Sequence, residues 1–483
     1  MSRHDIHTIG KDWLLQEVDN LTEEIHRLSP SQFSEKHRYL PASVTSSPGY
    51  LRYEVNPMLK EIVDCFDIDS PVREVNVMKG VQIGYTTALE SILLYAMAEW
   101  KNPPCMFISA DKEMAEGRVE NNIIPMIQQS GFSHLIRSSD EGNNQKKGLT
   151  KKHIQWLGGG YMIPAGANNA NKMRSLSIQL MLKDEIDGWP LTVGRDGDPD
   201  KLTDARCDGY KESRKILRGS TPLYRDSSKI YSNYLIGDQR KYIVHCRSCE
   251  FPQYLRFKGT NKKAGVVFGL DWELENGLLL PESVRYRCYN CGHGHKEADK
   301  LLLFSEAEGA YWKPTTTPQK PHVRSYHIPG LYSPYGFNSW AAQVGDWLEA
   351  YDEQNGRVKD ANKLQVFYNN VLGETFEESG SKVQFSQVSN HRRKAYMMGQ
   401  IPNTFAEEHA GSKILMTTLT VDVHKAYLAC AVIGWTSNSC SFVIDYVRYE
   451  DEDCTDINSK VWEEVRYLIE EKTYLADDDR EYR

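Results

Sequence analysis

The chain has 483 residues, 40% apolar and 26% charged, the composition of a globular protein long enough for about three domains with separate cores. A net charge of −8 excludes a uniformly basic coat and leaves room for local basic linings. No run reaches ~18 apolar residues, so no membrane span is expected. Met1–Gly10 lacks an apolar targeting core, which argues against secretion. The 10 cysteines then point to a reducing compartment, where paired cysteines more often bind metal than form disulfides.

Leu14, Val18, Leu21, Ile25 and Leu28 recur at steps of four and three, which predicts a helix packing on another helix, of this chain or of a partner. A Ser-, Pro- and aromatic-rich boundary follows, up to Pro57. From about 57 to 240 strands alternate with helices. Strands are predicted at Val72–Met78, Cys105–Ala110, Ser177–Leu182 and Lys215–Arg218, and a helix over Thr86–Trp100. Such alternation implies an α/β fold with a mostly parallel sheet, whose ligands bind at the C-terminal ends of its strands. The basic runs Lys146-Lys147 to Lys151-Lys152 and Lys211 to Arg214-Lys215 read as solvated loops, the alternative being a local lining that grips nucleic acid. Residues 246–295 carry paired cysteines, and 300–410 is mixed and aromatic. From Leu415 three strands (415–423, 426–435, 441–449) precede an amphipathic helix at about 457–472.

Lys79-Gly80-Val81-Gln82-Ile83-Gly84-Tyr85-Thr86-Thr87 follows the first strand and opens the first helix, the layout of a phosphate-binding loop. The usual pattern is G-x-x-x-x-G-K-[ST]. Here Lys79 stands where the first glycine belongs and Tyr85 where the lysine belongs. The stretch is either an ordinary strand–turn–helix connection or a phosphate loop whose lysine has moved to the front. In the second case, Gly80 and Gly84 allow close backbone approach, Thr86 and Thr87 open the helix with a hydroxyl for Mg²⁺, and Lys79 folds back over the phosphates. About a hundred residues on, Asp184-Glu185 closes an apolar strand interrupted by Lys183. An ATPase needs such an aspartate to hold Mg²⁺ and such a glutamate to activate the attacking water. Gly219-Ser220-Thr221-Pro222 ends the fourth strand, where Ser220 and Thr221 can sense the terminal phosphate or simply form a turn.

Cys246-x-x-Cys249 and Cys288-x-x-Cys291 supply four thiolates for a closed, structural Zn²⁺ site. His293 and His295, just beyond, read as solvent-exposed neighbours and not as ligands.

Taken in order, the lysine-first loop, Asp184-Glu185 with Trp189-Pro190, Gly197-Asp198-Pro199, Gly219–Pro222 and both cysteine knuckles resemble the large terminase subunits of tailed bacteriophages, lambda-type (GpA) branch. His327 with Leu331-Tyr332-Ser333-Pro334, Asn370-Val371-Leu372-Gly373-Glu374 and Leu419-Thr420-Val421-Asp422-Val423 extend the resemblance over nearly the whole chain. It implies a DNA-packaging motor that uses ATP, Mg²⁺ and Zn²⁺. The implied fold is a P-loop ATPase of the ASCE, RecA-like kind with an inserted zinc ribbon, followed by the start of an RNase H-like nuclease. The implied boundaries are 1–45 for a helical segment docking the small subunit, 46–245 for the ATPase core and 246–300 for the ribbon. A lid or linker region takes 301–410 and the nuclease 411–483.

By the same resemblance, Glu185 is the catalytic base, Tyr50, Tyr53 and Pro57 occupy the adenine-contacting segment, and Gly219–Pro222 couples hydrolysis to DNA movement. Asp422 is the first nuclease carboxylate, binding Mg²⁺ or Mn²⁺. Arg174 is a candidate arginine finger or a plain surface arginine. The family's further nuclease acids lie beyond another helix and strand, so the nuclease is expected to be incomplete here, with Asp445 facing solvent. The implied partners are double-stranded DNA, the terminase small subunit, the portal of the procapsid and further copies in a ring, in the host cytoplasm. Two other classes fit parts of the pattern. A zinc-ribbon helicase or remodelling ATPase needs a second RecA-like lobe after residue 300, and a non-catalytic DNA-binding module would carry a degenerate loop.

Overall fold

The computed structural model describes residues 27–41, 45, 48–100, 102–137, 148–168, 176–194, 197–377, 396–451 and 453–482. The leucine seam from Leu14 to Ile25, Lys146-Lys147 and Arg174 lie outside these residues. The chain divides into two compact units, 1–377 and 378–483.

In the first unit, Glu74–Lys79 (β1) leads into helix Tyr85–Glu99 (α1), then Cys105–Ser109 (β2), Tyr161–Gly166 (β3), Leu180–Asp184 (β4), Lys215–Ser220 (β5), helix Lys229–Ile236 (α2) and Arg240–His245 (β6). The cysteine module follows directly from β6 and contains a small antiparallel sheet of Lys258–Asn261 (β7), Val266–Asp271 (β8), Arg285–Arg287 (β9) and Gly294–His295 (β10). The chain then returns to the main sheet as Val323–Ile328 (β11), with the order β6-β11-β1-β5-β4-β2-β3, parallel throughout. The mixed stretch after residue 300 therefore supplies the immediate neighbour of the loop strand. Short antiparallel strands continue both edges of the sheet.

The central strands are short and almost wholly buried, as parallel strands covered on both faces must be, with Asn76, Lys79, Lys215 and Arg218 as buried polar interruptions of β1 and β5. α1 is apolar on almost every side and is accordingly buried from Ala88 to Met97. Its polar exceptions are paired: Arg38 bonds Glu90, the Thr87 carbonyl and Ser91, fastening the segment before β1 to this helix.

In the second unit, Ile414–Val423 (β12), Tyr427–Thr436 (β13) and Ser441–Glu450 (β14) form an antiparallel meander, followed by helix Val461–Glu470 (α3). β13 alternates buried and half-buried residues along its whole length, so one face of the sheet is covered. Val461, Val465 and Leu468 of α3 pack with Leu428 and Cys430 on that face. These strands and helix match the predicted ones closely.

Candidate functional site

β1 delivers Lys79 to the loop Gly80–Gly84, and Gly84, in the left-handed region at φ 79°, caps α1. The amides of Gly80 and Val81 donate to the carbonyls of Ile328 and Asn370, 2.8 Å each. The amides from Gln82 to Thr87 have no protein acceptor among the described residues. They sit at the positive end of the helix, the ordinary setting for anion binding. Asn56 Nδ2 supports the loop from below by donating to the Ile83 carbonyl at 2.8 Å.

β4 ends in Asp184, and Glu185 follows with φ 50°, an uncommon conformation for a residue with a side chain. Lys79 Nζ lies 2.5 Å from Glu185 Oε1, with the lysine side chain buried. The other carboxylate oxygen of Glu185 accepts from Ser220 Oγ at 3.2 Å, from the Thr221 amide at 3.1 Å and from Thr221 Oγ1 at 3.4 Å. The fold thus joins the loop lysine to an acid 106 residues further on and to Ser220 and Thr221 at the end of β5. Burial and then the charge of Glu185 push Asp184 up to about 6, against the pull of Lys79 and Arg118. Arg118 Nη2 is 4.0 Å from Asp184 Oδ2, and nothing in the sequence pattern singles it out.

Tyr85, in the place of the usual lysine, is buried and turned inward. Its hydroxyl donates to the Lys183 carbonyl at 3.1 Å, and its ring lies 5.4 Å from Lys79 Nζ. The ring presses on Gly219 so closely that a Cβ there would fall 2.1 Å from Tyr85 Cζ. Thr86 and Thr87 lie half-buried in the first turn of α1. Trp189 Nε1 donates to the Asp184 carbonyl at 3.0 Å, so the tryptophan after the acids fixes the end of β4. Tyr50 is largely exposed, whereas Tyr53 is buried. It is Asn56 of this segment that reaches the loop.

The sulfurs of Cys246, Cys249, Cys288 and Cys291 lie within 4.8 Å of one another. Burial pushes the Cys246 thiol up to about 12 and raises that of Cys288, against the pull of the Ser248 and Asn290 amides, which donate to these sulfurs at 3.4 and 3.3 Å. Four cysteine sulfurs this close form a donor set compatible with zinc. His295 does not face solvent as expected. It is buried, with neither ring nitrogen bonded to protein, and burial followed by the nearby His293 lowers it to about 4.

In the second unit Asp422 is mostly exposed, with His424 Nε2 at 3.0 Å. Across the ladder it aligns with Ala429 and Arg448, whereas Asp445 aligns with Val432 and Leu419. An offset of three residues places the two aspartates on opposite faces. Asp445 is not solvent-facing as expected. It is buried, bonded to Lys472 at 2.7 Å and to the Tyr474 hydroxyl at 3.0 Å. Among the described residues the cysteine tetrad alone groups three or more candidate metal ligands.

The family model described as the ATPase domain of the phage terminase large subunit gpA matches residues 45–312, and that of the gpA endonuclease domain matches 323–483. The terminase large subunit of Enterobacteria phage P21 is 28% identical over 440 residues, covering 87% of this chain and 62% of that protein. That of Escherichia phage lambda is 24% identical over 439 residues, covering 87% and 63%. The chain therefore spans less than two thirds of the length of these relatives. The crystal structure of the HK97 bacteriophage large terminase aligns at 11% identity with a TM-score of 0.40, over 87% of this chain and 67% of that one, too distant a likeness to build on. On the two family matches, which cover most of its length, the chain belongs to the phage terminase large subunit family of the gpA type.

Proposed function

We propose that this chain is the ATP-hydrolysing subunit of a viral DNA-packaging motor that moves double-stranded DNA into a procapsid. The observation that carries this reading is the meeting of Lys79 with Glu185 beside the acceptor-free amides of residues 82–87. The core is read as a P-loop ATPase of the ASCE, RecA-like kind. Its support is the sheet order, in which β5 lies between the loop strand and the acid strand and brings Ser220 and Thr221 to both.

In this reading Lys79 and the amides of Gln82 to Thr87, including those of Gly84, Tyr85 and Thr86, hold the phosphates of ATP. Gly80 gives the loop its close packing, and Tyr50 lines the adenine side. Thr86 and Asp184 hold Mg²⁺, which draws negative charge off the terminal phosphate. Glu185 orients and deprotonates the attacking water. Ser220 and Thr221, already bonded to Glu185, feel any movement of that carboxylate and pass it to β5. The buried Asp184 is half ionised near pH 6, so metal binding strengthens as pH rises through that value.

The cysteine tetrad is assigned to a structural zinc in a ribbon, and residues 411–483 to an RNase H-like nuclease in which Asp422 is a metal-binding carboxylate. Glu450, two residues beyond Arg448 in the ladder, is on the face of Asp422, but among the described residues no group of three or more candidate ligands forms there, so this chain alone is expected not to cut DNA with Mg²⁺ or Mn²⁺. Partners are the small subunit, through segment 1–45, the portal and further copies in a ring, all in the host cytoplasm. Among the described residues no helix is long and apolar enough to cross a membrane.

The test is ATP turnover with and without duplex DNA, for the wild type and for Glu185→Ala. Turnover that the substitution abolishes supports the motor. Equal, background-level turnover in both proteins sinks it and leaves a DNA-binding module.

A further inference from the structure

Two motifs from the sequence, one around His327 to Ser333 and one at Asn370–Glu374, have no part in the chemistry above, yet both press on the phosphate loop. The Gly80 amide donates to the Ile328 carbonyl and the Val81 amide to the Asn370 carbonyl, 2.8 Å each. Ser333 Oγ donates to the Gln82 carbonyl at 3.0 Å. A Cβ on Gly80 would meet the Gly330 nitrogen at 2.7 Å and the Asn370 oxygen at 2.8 Å. A Cβ on Gly373 would meet the Gly80 nitrogen at 2.7 Å, and Gly373 itself has φ 60°. Backbone therefore lies directly on backbone, from segments about 250 and 290 residues downstream.

His327 fixes the second segment to the first. It is buried, with Lys241 Nζ 2.5 Å from its Nδ1 and the Leu372 carbonyl 3.1 Å from its Nε2. An ammonium can only donate, so Nδ1 accepts, and the ring proton sits on Nε2 and is given to Leu372. Burial and then the Lys241 charge hold this histidine neutral, well below its ordinary value. Lys241 lies on β6, which runs straight into Cys246, so the arrangement is anchored at the root of the cysteine module.

We propose that His327 and the Asn370–Gly373 turn are positioning residues for the phosphate loop. The Ile328 carbonyl, next to His327, and the Asn370 carbonyl of the turn take up the loop's first two amides, and the packing holds the remaining amides in place for phosphate. A free loop loses conformational freedom at each residue ordered on binding. Ordering it beforehand appears as nucleotide affinity. This inference rests on the nucleotide-site reading, and it adds a duty for residues that touch neither nucleotide nor metal.

The test uses the full chain with a fluorescent ATP analogue and Mg²⁺. His327→Gln keeps an acceptor for Lys241 and a donor for Leu372, whereas His327→Leu keeps neither. In His327→Leu and in Gly373→Ala the Kd for the analogue and the KM for ATP should rise tenfold or more, on the order of 1.4 kcal/mol, with kcat changed far less. His327→Gln should return both to within about threefold of the wild type, a difference that general loosening of the fold would not produce. Wild-type affinity in a folded His327→Leu, or equal weakening by Leu and Gln, overturns the proposal. Should Gly373→Ala fail to fold, the His327 pair still decides. A wild-type chain that binds no analogue overturns the nucleotide site itself, whereas a binding wild type with indifferent variants overturns only the positioning role.

Discussion

Lys183 Nζ lies 2.7 Å from Asp200 Oδ1, and the two side chains are sealed from solvent. Lys183 also reaches Asp204 at 2.6 Å, while Arg218 bonds Asp200 at 2.9 Å and Glu74 at 3.2 Å. Although burial alone would raise it, Arg218 and Lys183 hold the Asp200 carboxyl well below the usual carboxylate range. Lys183 and Arg218 directly precede Asp184 and Gly219, so this ionic knot secures the ends of both strands at the site.

Breaking a buried network of this kind is costly because the surviving charges stay desolvated. Lys183→Met is expected to destabilise the chain by about 3–5 kcal/mol in urea unfolding. Lys201→Met, whose exposed ammonium stands 3.9 Å from the same Asp200, should change stability by less than about 1 kcal/mol. Equal effects would show that the knot is not what fixes these strand ends.

Glu185→Gln and Lys79→Met should separate binding from chemistry. The glutamine variant should keep nucleotide affinity and lose roughly 10²–10⁴ in kcat. The methionine variant should lose affinity first. Undiminished nucleotide binding by Lys79→Met would place the loop's cation elsewhere.

Asp184 predicts a trade of stability against activity. Its folded-state pKa is raised, so the penalty for the buried carboxylate grows as pH rises above the ordinary carboxylate value, is complete above about pH 6, and disappears once the group is protonated in both folded and unfolded chains. Asp184→Asn should therefore be more stable than the wild type at pH 8, by roughly 1–3 kcal/mol, with the gain vanishing towards pH 4. The same variant should have lost Mg²⁺-dependent turnover. A pH-independent stability difference would remove the charge explanation.

Metal analysis of the purified chain should find about one zinc per molecule, released by chelation or by Cys249→Ser. Proteolysis should then cut within residues 246–300 while β1 to β5 stay protected. A metal-free chain with the same protease resistance would contradict the assignment.

The two aspartates of the second unit should behave differently. Asp445→Asn loses ion pairing with Lys472, a partner that holds this carboxyl below its ordinary value even though burial raises it. Its contribution is present above the ordinary carboxylate pKa and fades as pH falls through the lowered one. Asp445→Asn should thus cost about 1–2 kcal/mol at pH 7. Asp422→Asn, on an exposed side chain, should leave the melting temperature unchanged.

The loop, the acid pair, the cysteine knuckles and the meander were all legible because each has a local signature of spacing or alternation. β3 was missed because Gly158 to Gly160 precede it and Pro164 lies within it, and both argue against a strand on local grounds. β11 was missed because aromatic and polar residues replace the usual aliphatic run, and Arg324, Ser325 and His327 find partners that only the fold supplies. Lys183, a blemish in an apolar run, is explained by Asp200, a residue on another element. His295 and Asp445 were assigned to solvent on polarity alone, whereas packing encloses them. The contact of Gly373 with Gly80 has no sequence signature at all.

The position of β1 between β5 and β11 also governs the order in which this protein can be built. While the chain emerges from the ribosome, β1 gains its first neighbour only once residue 220 has appeared, and its second only after residue 328, with the whole cysteine module lying between. Until then an apolar strand stands with an open edge, a hazard for pairing with other chains. A nascent chain that closes its cysteine knuckles early shortens the loop that must be crossed before β11 arrives. Metal supply during synthesis would then govern yield as well as finished stability.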